Sequence, residues 1–182
     1  MELQTTEGPF TPEPRWTVLF FYSGDFLPVT TTEMEQLATL QGDFFRCDAA
    51  LFALSGDSLA THLAYLNHLS NRFLHKILFP LVALPHPCPK GIWILDPQGE
   101  PRAVFGYPDQ TGVNFTEVLR TLAALQTEKP TPAGWVPGES PLLPPPQTRE
   151  ESILFMNEWE RRGHVCVDWY LGYEKSEEGN LP

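Results

Sequence analysis

The stretch Thr17-Val18-Leu19-Phe20-Phe21-Tyr22, followed by Ser23-Gly24-Asp25-Phe26-Leu27-Pro28 and then Val29-Thr30-Thr31-Thr32-Glu33, decides how the rest of the chain is read. Its first six residues are β-branched, apolar or aromatic without alternation, the pattern of a strand covered on both faces of a sheet. A turn at Gly24-Asp25 and then Pro28 interrupt it. Beyond them Met34, Leu37, Ala38, Gln41, Phe44 and Phe45 recur at helical spacing, which predicts a helix from about residue 31 to 45. Glu33 and Glu35 near its start suit the positive end of a helix dipole.

Reading outward, Ala49 to Leu54 is a second buried strand, and Leu59, Leu63, Leu66, Leu69 and Phe73 line one face of a second helix that Ser55 or Asp57 is expected to cap. Phe79 to Leu84 is a short apolar run leading into the loop Pro85-His86-Pro87-Cys88-Pro89. Gly91 to Leu95 and Ala103 to Tyr107 read as strands joined by the turn Asp96-Pro97-Gln98-Gly99. Asn114 with Glu117 opens a third helix carrying Phe115, Val118, Leu119, Leu122 and Leu125. The order β-α-β-α-β-β-α describes an α/β fold, a mixed central sheet with helices on both faces.

Composition changes at Lys129-Pro130-Thr131-Pro132, so residues 1–128 are expected to form the main domain and 129–182 a C-terminal extension. The run Pro144-Pro145-Pro146 makes the extension an extended arm that wraps around something. It ends in a helix from Arg149 to Arg162, stopped by Gly163, and in Val165 to Tyr170, a strand or apolar plug.

The 182 residues carry a net charge of -11 spread along the chain, which argues against nucleic acid as a partner. No apolar run is long enough to span a membrane, and the acidic start around Glu2 and Glu7 lacks the character of a signal peptide, so a cytoplasmic protein with no membrane partner is expected. Three cysteines, Cys47, Cys88 and Cys166, have neither disulfide-framework nor zinc spacing. His62 and His68 sit six apart rather than on one helical face, so they are read as structural or surface residues. No metal and no cofactor are expected.

The residues from about Leu3 to Glu174 resemble a peroxiredoxin of the one-cysteine and archaeal type, with the thioredoxin-like fold of that family. The family segment His-Pro-x-Asp-Phe-Thr-Pro-Val-Cys-Thr-Thr-Glu corresponds to Tyr22 through Glu33, with Asp25-Phe26 and Pro28-Val29 setting the register. Ser55-Gly56-Asp57-Ser58, Ile94-Leu95-Asp96-Pro97, Pro132-Ala133-Gly134-Trp135, Pro144-Pro145-Pro146 and Cys166-Val167-Asp168-Trp169 add matches in the same order.

The resemblance implies a thiolate at the start of the first long helix, activated by the helix N-terminus and an Arg, with a Thr hydroxyl orienting the peroxide. Here the nucleophile position is Thr30, the shielding Pro is Ser23, the orienting Thr is Leu27, the family His is Tyr22, and the two Arg positions are Lys90 and Val113. A threonine hydroxyl is not ionised near neutral pH and cannot cycle through a sulfenic acid. Of the cysteine pair that brackets Asp-Trp in the archaeal branch, Cys166 matches one member and Gly172 replaces the other.

Three function classes follow. The first is a peroxiredoxin homologue without peroxidase activity, acting as a scaffold, regulator or partner of another protein. The second is a thiol enzyme whose chemistry has moved to a remaining cysteine: Cys88, near His86 and Lys90; Cys47, after Arg46; or Cys166, flanked by Val165 and Val167 and more simply a small buried hydrophobe. The third is a small-ligand protein using a former peroxide pocket lined by Tyr22, Leu27 and Thr30. The resemblance also implies a homodimer or higher homo-oligomer, because the family pairs the strand matching Ala103 to Tyr107 with its copy and crosses the C-terminal arm to the partner.

Overall fold

The computed structural model describes residues 4–9 and 14–175, with Ile153 by its backbone alone. Two compact units divide the chain, Met1–Leu119 and Arg120–Pro182.

In the first unit the central strand is β3 (Trp16–Phe21), paired in parallel with β4 (Ala49–Ser55) and antiparallel with β6 (Gly91–Leu95). Val18 and Phe20 point into the core and are 1% exposed. The sheet has seven strands in the order β2-β1-β5-β4-β3-β6-β7, where β1 is Gln4–Thr5, β2 Gly8–Pro9, β5 Leu81–Ala83 and β7 Pro101–Gly106. β1 and β2 were not anticipated, because two-residue strands carry no period; β1 is held by pairing with Val82 and Ala83 of β5.

Helix α1 spans Pro28–Arg46, starting three residues before the expected position 31. Pro28 occupies a first-turn position, where its fixed φ suits the helix and its missing N–H would have no intrahelical acceptor. Met34, Leu37, Ala38 and Phe44 are buried. Helix α2 spans Leu59–Ser70, and its cap is Ser58, whose hydroxyl accepts from the Thr61 amide, rather than Ser55 or Asp57. Those two side chains bond each other instead, Ser55 Oγ donating to Asp57 Oδ2 at 2.8 Å. Helix α3 is Phe115–Gln126, and Asn114 Oδ1 accepts from the amides of Thr116 and Glu117. Phe115 meets Phe20 edge-on at 5.2 Å.

In the second unit α4 (Arg149–Arg161) is closed at its start by a reciprocal capping box between Thr148 and Glu151, and Gly163 beyond its end takes a left-handed φ of 79°. β8 (Val165–Asp168) and β9 (Leu171–Tyr173) form an antiparallel hairpin, where the sequence pattern showed one strand or plug. The proline-rich segment is fastened to β9: Leu143 N–H donates to Gly172 O at 2.8 Å, and Glu174 N–H to Pro141 O at 2.9 Å. Among the described residues no helix is long and apolar enough to cross a membrane.

The register between β6 and β7 places Gly91 opposite Gly106, and a Cβ at Gly91 would stand 2.5 Å from the carbonyl oxygen of Phe105. Backbone cannot move aside as a side chain does. Gly91→Ala is expected to lower stability by about 1–3 kcal/mol, seen as a fall in thermal midpoint, whereas Gly99→Ala, where no atom lies within 4 Å but φ is +84°, tests strain alone.

Candidate functional site

The turn between β3 and α1 positions the residues singled out from sequence. Phe26 adopts φ 59°, an uncommon conformation for an aromatic residue, and its ring leans on Tyr65 of α2 at 4.9 Å. This reversal brings Asp25 back beneath β3 and starts α1 at Pro28. Thr30 lies in the first turn of α1 and is 2% exposed.

Tyr22 and Asp25 belong to one buried network. Tyr22 Oη donates to Asp25 Oδ1 at 2.8 Å, and His62 Nδ1 of α2 lies 2.7 Å from Asp25 Oδ2 and 3.3 Å from Tyr22 Oη. With the proton on Nδ1, the imidazole donates to the carboxylate and leaves Nε2 as an acceptor with no partner among the described residues. The Asp25 amide donates to Asp57 Oδ2 at 2.9 Å, which links this network to the Ser55–Asp57 turn. Burial, reinforced by the negative charge of Asp25, pushes the Tyr22 phenol far above its ordinary range. Burial also raises the Tyr65 phenol, whose Oη sits 2.9 Å from the Thr31 hydroxyl. Tyr22 is therefore a fixed hydrogen-bond donor and not an acid that works near neutral pH.

A second buried cluster surrounds Lys90. Its ammonium lies 2.7 Å from Glu33 Oε1 and donates to Thr111 O at 2.8 Å, while the amide of Val113 donates to the same glutamate oxygen at 2.9 Å. Both charged side chains are out of water, 1% and 2% exposed. Glu33 thus turns inward to an ion pair instead of serving the helix dipole, and Lys90 spends its charge on Glu33 instead of on Cys88. Val113 contributes its backbone.

Ser23 is exposed and donates to Asp109 Oδ1 at 2.6 Å. Leu27 is 43% exposed, but Tyr22 is only 2% exposed. Thr30 is equally buried.

The cysteines are scattered. Cys47 follows the end of α1, and Arg46, the neighbour expected to activate it, pairs with Asp43. Cys88 is exposed in the loop after β5, and its thiol points to the carbonyl of His86 at 3.9 Å, not to the imidazole. Cys166 on β8 is half-buried near Met156 O, and burial together with the charge of Glu160 raises its thiol pKa, so the thiolate is disfavoured. Cys166 and Gly172 are direct cross-strand partners. A Cβ at 172 would meet Leu143 at 3.0 Å and the Trp159 ring at 3.1 Å, so packing now fills the space a side chain there would need.

Sequence reasoning named Tyr22, Thr30, Lys90 and Val113, but not the partners that disarm or hold them: Asp25, Glu33, His62 and Asp57. In the sequence Asp25 marks the register, Glu33 suits the helix dipole, Asp57 is a candidate cap and His62 is a structural or surface residue.

The model of the AhpC/TSA family matches residues 5–86. Peroxiredoxins of Methanosarcina mazei and Aquifex aeolicus are each 32% identical to the chain, spanning 94% and 96% of it and 92% of each relative. A solved yeast mitochondrial 1-Cys peroxiredoxin shares the fold with a TM-score of 0.80 at 24% identity, over 97% of this chain and 95% of that one. A mutant of peroxiredoxin 6 from Arenicola marina gives 0.78 at 25% identity with the same coverage. The class is a thioredoxin-like α/β protein with a mixed sheet and flanking helices. The chain belongs to the peroxiredoxin family.

The Lys90–Glu33 pair generates a stability prediction. Lys90→Met alone leaves a buried carboxylate unpaired and is expected to cost about 3–5 kcal/mol. Lys90→Met with Glu33→Gln removes both charges while the amide oxygen still accepts from Val113, and should recover most of that loss in the urea midpoint. Equal destabilisation by the single and double variants would show that the charge pair is not what the site depends on.

Proposed function

We propose that this peroxiredoxin homologue has no thiol peroxidase activity and serves as a scaffold, regulatory or partner subunit. The observation that carries the reading is Thr30 in the first turn of α1, where the family segment aligned on Asp25-Phe26 and Pro28-Val29 has its cysteine. The helix N-terminus is retained, but a threonine hydroxyl neither ionises near neutral pH nor accepts and releases a peroxide oxygen. The engagement of Lys90 with Glu33 and Thr111 supports the same conclusion, since the cation has no bidentate fork to offer a thiolate and a peroxide together. Leu27 stands where the orienting hydroxyl would be.

Homodimerisation is part of the proposal. β7 ends the sheet, so one edge of it has no strand partner among the described residues; Val104 on it is 58% exposed, and Trp93 of neighbouring β6 42%. An apolar edge of this kind is a liability in a monomer and a pairing surface in a two-fold dimer. Peroxiredoxins as a family resemble it in having such an edge paired.

Two measurements test these readings. In stopped-flow assays with hydrogen peroxide and dithiothreitol, the wild type should consume no peroxide above background, and Thr30→Cys alone should remain slow. Preorganised donors contribute about 10²–10³-fold each, so Thr30→Cys combined with Ser23→Pro, Leu27→Thr and Lys90→Arg should be faster by several orders of magnitude. Rapid turnover by the wild type, or full recovery from Thr30→Cys alone, overturns the reading. Sedimentation velocity at micromolar concentration should give a dimer or larger species; a monodisperse monomer removes the dimer from the proposal.

A further inference from the structure

The charge of the chain is unevenly placed. None of the 23 Asp and Glu residues falls between Asp57 and Asp96, although that stretch holds Arg72, Lys76 and Lys90 and four of the five histidines. Lys90 is neutralised by Glu33. Arg72, His75 and Lys76 make no side-chain hydrogen bond or ion pair among the described residues, and all three are exposed. In a protein of net charge -11, the end of α2 and the loop after it form a cationic island.

That island borders a cavity. Leu66 and Leu69 on α2 and Phe73 and Ile77 on the following loop give it an apolar wall, and His75 and Lys76 stand among the lining residues. Its volume is about 200 Å³, below the ~300–1,000 Å³ of sites for drug-sized ligands. At that size it suits a small molecule with a short apolar body. The loop is held in place rather than free: Gln41, 6% exposed, donates from Nε2 to Lys76 O at 2.7 Å and accepts at Oε1 from the Leu78 amide at 2.8 Å. The same backbone anchor therefore fixes where the Lys76 side chain departs.

The geometry points to a binding site, separate from the Thr30 region, for a small amphipathic carboxylate: a free acid with a short aliphatic or aryl body, the body between α2 and Ile77 and the carboxylate facing Lys76 and His75. Charge and shape both select this class. An apolar wall alone would take a neutral hydrocarbon, and free cations alone would take any anion. A cleft with both, and with no carboxylate in the surrounding stretch of chain, favours a ligand that presents both at once.

Octanoate is the probe. Titrated into the ¹⁵N-labelled full chain below its micellar range, it should shift the amides of Leu66, Ser70 and Ile77 saturably, with octanol and acetate each binding at least tenfold more weakly. Lys76→Glu changes an exposed residue and should weaken octanoate at least tenfold without moving the thermal midpoint. Ser70→Trp, placed at the cavity wall, should block it. Octanol binding as tightly as octanoate, undiminished binding to Lys76→Glu, shifts centred elsewhere, or binding to anionic vesicles without binding to octanoate would each overturn the proposal.

Discussion

A lysine ammonium and a glutamate carboxylate, both removed from water, join the second turn of α1 to the start of β6, and the loop before α3 closes over them through Thr111 O and the Val113 amide. Bringing two charges into the interior costs several kcal/mol per ion, and their attraction offsets this only when the remaining donors and acceptors are also satisfied. Here Glu33 Oε1 takes two donors and Lys90 two acceptors, while Glu33 Oε2 is buried without a hydrogen-bond partner among the described residues, so the pair offsets its desolvation only in part. The arrangement is consequently all or nothing: three segments must be in place together for either charge to be tolerated. The position of Thr30, one turn of backbone away from Glu33 on the same helix, follows from that constraint.

The second network works by the same physics with weaker partners. Asp25 receives Tyr22 and His62 side chains and gives its own amide to Asp57, so one carboxylate holds β3 and α2 while a second holds the turn between β4 and α2. Hydrogen bonds to a buried carboxylate are stronger than neutral ones and leave a costly orphan when one partner is removed. The two networks bracket the start of α1, where Thr30 lies buried. Packing and hydrogen bonding here need polar groups of the right reach, and Asp25, Asp57, Glu33 and Lys90 supply them.

The second unit makes a parallel point. Cys166 faces Gly172 across the β8–β9 hairpin, which is the spacing at which two strand residues meet. Leu143 and Trp159 press against that glycine, so the hairpin is packed for a residue without a side chain. The proline-rich segment, an extended arm by its composition, is a strand-like partner of β9, hydrogen-bonded on both sides of Tyr173.

The sequence by itself determined the buried strand at Thr17 to Tyr22, the helices that follow, and the β6–β7 hairpin, because a period of two or 3.6 and a Pro-Gly turn are local properties that neighbouring residues settle among themselves. It also carried the likeness to the peroxiredoxin family that the relatives bear out. It did not determine the start of α1, where Pro28 extended the helix beyond its apolar face, nor the cap of α2, since Ser55, Asp57 and Ser58 all qualify and only the first helical residue chooses among them. The roles of Glu33, Lys90, Asp25 and His62 were decided by tertiary structure. Asp25 and His62 are 37 residues apart, and whether a carboxylate meets water, a helix dipole or a buried cation depends on which distant side chain the fold carries to it, an electrostatic choice that no local pattern encodes.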